Sequence, residues 1–391
     1  MLNVLTFSSL YPNLVQPNFG GFVERQTARL AARDDVDLKV IAPIGTFLPI
    51  GPYAALSRVP ARGEHNGIAV SWPRFPLLPA VGWRFNPAFA YRAGRRVLLD
   101  LIAEGFRPDV IDCEFFWPDG PAAVRLGSAF GIPVSIKARG SDIRLWGAKP
   151  AACRMMVEAA NAANGLLAVS ESLKADMIAL GMPGEKIRVH RTGIELDRFR
   201  PGDRAAAKAR LGVSGPLLLA VGNLVALKRF DLAIAAAALI PDATLLIAGE
   251  GRERRKLEAQ IAERGLAARV HLLGAVHHGE MPALMAAADV FVHTSSSEGL
   301  ANVWVEALAS GTPVVTANVG AAAEVVDRPE AGTLIDDARP AVFAEAIRAV
   351  LAAPPATETV RASALRFDWK TNTDTLHTHL SGLVSGAETE Q

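Results

Sequence analysis

Cysteine is almost missing from this 391-residue chain, which has only Cys113 and Cys153. So sparse a pair builds no disulfide framework, and a reducing cytosol is the natural home for such a protein. Long apolar runs are missing as well. None approaches the roughly 18–20 residues that a membrane span needs, and the alanine runs 205–207 and 235–238 are helix-forming composition. The stretch Met1 to Phe7 has no basic segment and no long apolar one, so it is expected to be a first strand and not an export signal. Metal-ligand spacing is absent too. The eight histidines include His277 and His278, but neither belongs to an H-x-x-H or C-x-x-C arrangement. No low-complexity segment occurs.

What is present is ordinary globular composition. Hydrophobic residues make up 50% of a chain long enough for two domains. The net charge of +1 hides an asymmetry: residues 1–195 hold 22 Lys/Arg against 17 Asp/Glu, and the remainder holds 19 against 23. The basic excess concentrates between Arg58 and Arg107. It is too mild for nucleic acid, but it suits an anionic acceptor or peripheral contact with the inner membrane surface.

In chain order, an apolar strand at 4–7 precedes a loop with Gly20 and Gly21 and a helix over 22–33. Strand, glycine loop and helix open a phosphate- or nucleotide-binding α/β unit. A strand at 38–43 follows, then a Pro- and aromatic-rich irregular region over 45–85 with one strand at 68–72. Pro87 starts a helix running to Glu104. Strands at 110–114 and 134–138 bracket a helix over 122–130. The second of them leads into Arg139-Gly140-Ser141-Asp142, where Asp142 is either a turn residue or a ligand contact at a strand's C-terminal edge. Helices over 153–164 and 171–180 and strands at 165–170 and 189–194 complete this half.

The polar, Pro- and Gly-bearing residues 197–203 mark the expected boundary. They separate an acceptor-side domain, 1–197, from a nucleotide-sugar domain, 203–367, and a final helix over 368–391 is expected to cross back. Beyond the boundary the alternation restarts, with strands at 217–221, 244–248, 270–273, 290–293 and 314–316. Two doubly wound parallel sheets facing each other across a cleft are the expected architecture.

The candidate chemistry lies at 294–306, where Glu298 and Glu306 are separated by seven residues. A helix is expected to start at Ala301 or Asn302 and end before Gly311. Its free N–H groups and positive dipole end would make an anion site between the two carboxylates. Hydroxyl partners at both ends and phosphate between them suit a nucleotide sugar. A glycosidase acid/base pair needs two carboxyl groups facing each other across a sugar, and the phosphate-ready helix start argues against that.

The ordered motifs resemble the GT-B glycosyltransferases of family 4, the retaining group with a Glu-x7-Glu signature. The residues that carry the resemblance are Gly20-Gly21, 169–172, 191–195 with 198–201, 221–228, 248–251, 288–292, 297–307, 311–315 and 320–324. They cover nearly the whole chain in order. The likeness is to polysaccharide-type members, of the teichuronic acid or exopolysaccharide kind.

The resemblance implies a hexosyltransferase-type enzyme acting on a nucleotide diphosphate sugar and a saccharide or lipid-linked acceptor, without a metal or other cofactor. It implies that Glu306 bonds the ribose hydroxyls and that Glu298 bonds the donor sugar near its anomeric carbon. Backbone N–H groups around Gly299, Leu300, Ala301, Asn302 and Val303 would hold sugar and phosphate. Lys228 would neutralise the diphosphate, Gly20 and Gly21 would approach it when the domains close, and Val276 or His277 would lie near the base. Three departures stand out. Asn223 replaces a usual phosphate-binding arginine, for which Arg229 (at a common glycine position) could substitute. Arg139 replaces a histidine at the sugar-contact position, and Thr192-Gly193 replaces a linker Asn-Gly. A nucleotide-sugar epimerase of the same fold and a non-catalytic two-lobed sugar-binding protein are the alternatives.

Overall fold

A computed structural model describes all residues except 18, 48–51, 79 and 390–391. The chain forms two compact units, Met1–Thr192 with Trp369–Gln391, and Gly193–Asp368.

The first unit contains β1 (Leu2–Phe7), β2 (Val36–Ile41), β3 (Ile44–Thr46), β4 (Arg62–His65), β5 (Ile68–Ser71), β6 (Arg74–Pro76), β7 (Val110–Cys113), β8 (Val134–Ala138), β9 (Gly165–Ala168) and β10 (Ile187–Val189). Eight of these form one sheet in the order β10-β9-β8-β7-β1-β2-β5-β4. All its neighbours pair parallel except β4 and β5. Strands such as β7 and β8 are buried along their whole length, the pattern of a sheet covered on both faces. On one face, Val23 and Leu30 of the helix Gly21–Ala31 share a core with Leu376 and Leu380 of the helix Trp369–Thr389.

That last helix packs on the first unit, as its expected return requires. His379 Nε2 lies 2.9 Å from Ser135 Oγ, and Arg33 reaches Asp374 at 2.6 Å. The boundary falls earlier than the polar stretch 197–203. Ile194 donates its N–H to Phe367 O at 2.7 Å, and Phe199 is buried in the second unit's core. Residues 193–203 therefore belong to that unit, anchored at Ile194 and Phe199.

The described residues of the region 45–85 hold more regular structure than its composition suggests. β4 and β5 form a hairpin whose turn, Asn66-Gly67, has both φ angles positive, 51° and 79°. Asn-Gly is the usual sequence for such a turn, and the signal was present in the sequence. β3 and β6 form a separate parallel pair.

The second unit contains β11 (Leu217–Val221), β12 (Thr244–Ala248), β13 (Val270–Gly274), β14 (Val290–His293), β15 (Val314–Ala317) and β16 (Gly332–Ile335). They pair parallel throughout in the order β13-β12-β11-β14-β15-β16. Numbered within the unit, this is the Rossmann order 3-2-1-4-5-6, whose winding direction reverses between β11 and β14. Ligands of such sheets collect beyond the carboxyl ends of the two strands at the reversal. Here those ends lead into the loop carrying Lys228 and the loop carrying Glu298.

Candidate active site

β14 ends at His293, and the chain continues through Thr294, Ser295, Ser296 and Ser297 to Glu298. This polar run stitches the loop to its neighbour after β11. Thr294 Oγ1 donates to Arg229 O at 2.7 Å, Ser295 Oγ to Leu227 O at 3.1 Å, and Ser296 N to Leu227 O at 2.9 Å. The stitching brings Lys228 Nζ to 2.5 Å from Glu298 Oε1, in a pair whose carboxylate side is only 12% exposed.

A second support lies behind Glu298. Ala321 N donates to Gly299 O at 2.9 Å, and Gly320 adopts φ 57° with its α-carbon directly against the Glu298 carbonyl. A Cβ there would collide with that carbonyl oxygen, so only glycine lets the two loops meet.

The helix after Glu298 runs Asn302–Ala309, with Ser310 closing it and Gly311 at φ 76°. Its N-cap is Ala301, which offers no side-chain acceptor to the first turn. Alanine is a poor cap, so the N–H groups at this end lack the usual intramolecular partner and are oriented for an anion. Glu306 lies in the fifth position of this helix and is buried. Gly299, Leu300, Asn302 and Val303 are half-buried around the helix start.

The remaining second-unit candidates are placed differently. Arg229 is in the left-handed region, φ 51° and ψ 40°, which explains why glycine is favoured at this position. Its guanidinium is held by Asp231 two residues on, at 3.1–3.3 Å. The catalytic and phosphate-replacing role expected of Arg229 has no support in this placement; Lys228 is the cation on Glu298. Asn223 is exposed, as is His277, whose Nδ1 accepts from Gly279 N at 3.1 Å. Val276 packs against the unit's core.

In the first unit, Gly20 (φ 68°) caps the helix Gly21–Ala31, and a Cβ on it would strike the Leu10 carbonyl of its own loop. Asp142 is wholly buried and accepts from the N–H groups of Phe116, Arg139, Gly140 and Ile143. Its carboxylate is fully engaged by backbone, so the turn role is the one its geometry carries and the ligand-contact expectation is corrected. Arg139, 5% exposed, is paired with Glu114 and donates to Gln26, so it too belongs to the interior and not to an open sugar site.

Beneath them lies a buried polar network that the sequence reading missed. Lys137 Nζ lies 2.6 Å from both Gln26 Oε1 and His190 Nδ1. His190 Nε2 is 2.9 Å from the carbonyl of Asn372, which only an N–H can satisfy, so Nδ1 is the acceptor for Lys137. Burial pushes Lys137 down to about 7 and Asp112 up to about 6. A lysine and a histidine 53 residues apart in sequence give no local signal of this contact.

His293 was also missed. Its ring is buried between Phe291 and Trp304, with centroids 6.2 and 5.2 Å away, and its Nε2 lies 3.4 Å from Glu298 Oε1. Burial, and secondarily Lys228, hold its titration well below the usual histidine range. Among the described residues, no three or more His, Cys, Asp or Glu are grouped to hold a metal ion, and no helix is long and apolar enough to cross a membrane.

Known families match each unit in turn. The description "Glycosyl transferases group 1" matches residues 203–366, and "Glycosyltransferase Family 4" matches residues 23–198. Each half of the chain is therefore similar to a glycosyltransferase domain family. A D-inositol 3-phosphate glycosyltransferase of Geodermatophilus obscurus is 40% identical over 203 residues, 47% of this chain and 44% of that protein. One from Mycobacterium tuberculosis is 36% identical over 209 residues, 50% of this chain and 44% of that protein. The chain thus spans less than half the length of these curated relatives.

Among solved structures, Anabaena HepE in complex with UDP superposes with TM-score 0.75 at 22% identity, covering 98% of this chain and 100% of that one. Sucrose-phosphate synthase of Thermosynechococcus elongatus gives 0.83 at 19%, covering 99% and 100%. At these identities the likeness is one of fold, and that fold is GT-B, built from two Rossmann-like domains.

Proposed function

We propose that the protein is a retaining glycosyltransferase that moves a sugar from a nucleotide diphosphate sugar to a saccharide or lipid-linked saccharide acceptor, without a metal ion. The observation that carries this reading is the Lys228–Glu298 pair at the sheet's reversal point, beside the uncapped start of the helix Asn302–Ala309. A cation and free N–H groups at one strand end favour a diphosphate. HepE, which shares this fold, has been solved in complex with UDP and with UDP-glucose, which makes UDP-linked donors the first to test.

In this reading Glu306 bonds the ribose and Glu298 the donor sugar. The bond from the anomeric carbon to the diphosphate oxygen breaks as the acceptor hydroxyl oxygen bonds to that carbon on the same face. The hydroxyl proton passes to the departing phosphate oxygen. Negative charge grows on the diphosphate during this step, and Lys228 and the helix start stabilise it most where it is greatest. No side chain near Glu298 is required as a nucleophile.

A role in cell-surface polysaccharide synthesis in the cytoplasm fits the motif resemblance, and the curated relatives make an inositol phosphate a second acceptor class. Exposed Arg84, Arg92, Arg95 and Arg96, with Phe85 54% exposed, suit peripheral contact with an anionic membrane face. Incubation with a nucleotide-sugar panel and candidate acceptors tests the reading. Nucleoside diphosphate release with a glycosylated acceptor supports it. A new nucleotide sugar instead indicates epimerisation, and binding without turnover indicates a sugar-binding protein.

A further inference from the structure

Among the described residues, Glu298 Oε1 has one lysine and one histidine beside it. Lys228 Nζ holds it at 2.5 Å, and His293 Nε2 stands 3.4 Å away. The second contact is too poorly aimed to be a hydrogen bond, and neither ring nitrogen of His293 has a hydrogen-bond partner among the described residues although the side chain is only 3% exposed. A buried polar group left unpaired costs about 1–3 kcal/mol, and the pocket between Phe291 and Trp304 would accept an apolar ring without that cost. The imidazole is neutral, so it carries one N–H to give and adds no second charge beside Lys228.

We propose that His293 is a positioning residue for sugar transfer, receiving Glu298 when a donor diphosphate draws Lys228 away. This rests on the donor reading above. A diphosphate carries more negative charge than one carboxylate and pulls a flexible lysine towards itself. Glu298 is then a largely buried carboxylate that has lost its cation, a costly state unless another donor takes it. His293 Nε2 is the remaining described donor facing that oxygen. Turning the carboxylate into line with the ring N–H and closing the gap by a few tenths of an ångström pairs Nε2 with Oε1 and leaves Oε2 for the donor sugar. Such contacts are commonly long in the ligand-free protein and tighten in the complex.

The test uses the full chain and the first of UDP, GDP or ADP that calorimetry shows to bind. In ¹⁵N-labelled protein, saturation with that nucleotide should shift the His293 Nε2 signal towards a hydrogen-bonded value and slow exchange of its proton. His293→Phe should lower kcat by about 10²-fold, the cost of misplacing a reacting group by about 1 Å, with donor KM little changed. His293→Gln, which keeps an N–H, should recover most of the loss. Nucleotide binding with an unaltered His293 signal, or wild-type kcat in folded His293→Phe, overturns the hand-over alone. Failure of all three nucleotides to bind overturns the donor reading and the hand-over with it. If neither variant folds, the spectrum of the wild-type protein decides.

Discussion

Lys228 Nζ sits 2.5 Å from Glu298 Oε1 although 70 residues of chain separate them. The pairing comes from topology. β11 and β14 are neighbours at the sheet's reversal, and the serine and threonine side chains after β14 bind the backbone of the loop after β11. Replacing Lys228 with alanine should therefore lower kcat/KM for a nucleotide-sugar donor by about 10²–10³-fold, the usual effect of deleting one preorganised electrostatic contact. Steady-state kinetics of the purified variant check this.

The two glutamates should separate by function. Glu306→Ala should weaken nucleotide binding, read by calorimetry, and Glu298→Ala should depress kcat while nucleotide affinity stays close to wild type. Wild-type turnover in Glu298→Ala would remove that residue from the site.

Gly320 tests how closely Glu298 must be held. Gly320→Ala places a methyl group against the Glu298 carbonyl, whereas Gly265→Ala, at a similar φ of 65°, meets nothing within 4 Å. Both should lose stability to the left-handed backbone, about 1 kcal/mol. Only Gly320→Ala should also lose turnover, by about 10²-fold for a shift of roughly 1 Å. Parallel melting curves and rate measurements on the two variants separate the effects.

Arg229 adopts a left-handed conformation without the freedom of glycine, and its charge is already paired with Asp231. Arg229→Gly should relieve up to about 1 kcal/mol of backbone strain, offset in part by the greater freedom of the unfolded chain. Donor KM should remain near wild type. A large rise in donor KM would restore Arg229 as a phosphate ligand.

His379 gives a pH prediction with a defined sign. Burial depresses it from 6.5 to about 4, so the unfolded chain binds its proton first as pH falls. Its stabilising contribution is fully present above about pH 6.5 and is lost between 6.5 and 4, at most about 3 kcal/mol. Thermal melts at pH 7 and pH 5 should show His379→Asn losing less stability on acidification than the wild type.

Much of this arrangement is legible in the sequence because its signals are local. Apolar strands, the helix bounded by Ala301 and Gly311, and the Glu-x7-Glu spacing are each written within a dozen residues. Missed features depend on contacts across the fold. Ser135 and His379 are 244 residues apart, and His293 reads as the last residue of a strand until Glu298 turns back over it. Arg139 and Asp142 misled for a related reason. A charged residue at a strand's C-terminal edge looks the same in sequence whether it faces a ligand or is consumed by backbone N–H groups and a buried Glu114. Asn66-Gly67 is the exception, a local signal obscured by the proline-rich composition around it.

In the proposed mechanism the second unit binds a nucleotide diphosphate sugar through Lys228, Glu298, Glu306 and the start of the helix Asn302–Ala309. Calorimetric titration with UDP, GDP and ADP, repeated on Lys228→Ala and Glu306→Ala, addresses it most directly. Saturable binding of at least one nucleotide by the wild type and clear weakening in both variants are the expected results. Absence of binding by all three, or equal affinity in wild type and variants, would contradict that mechanism.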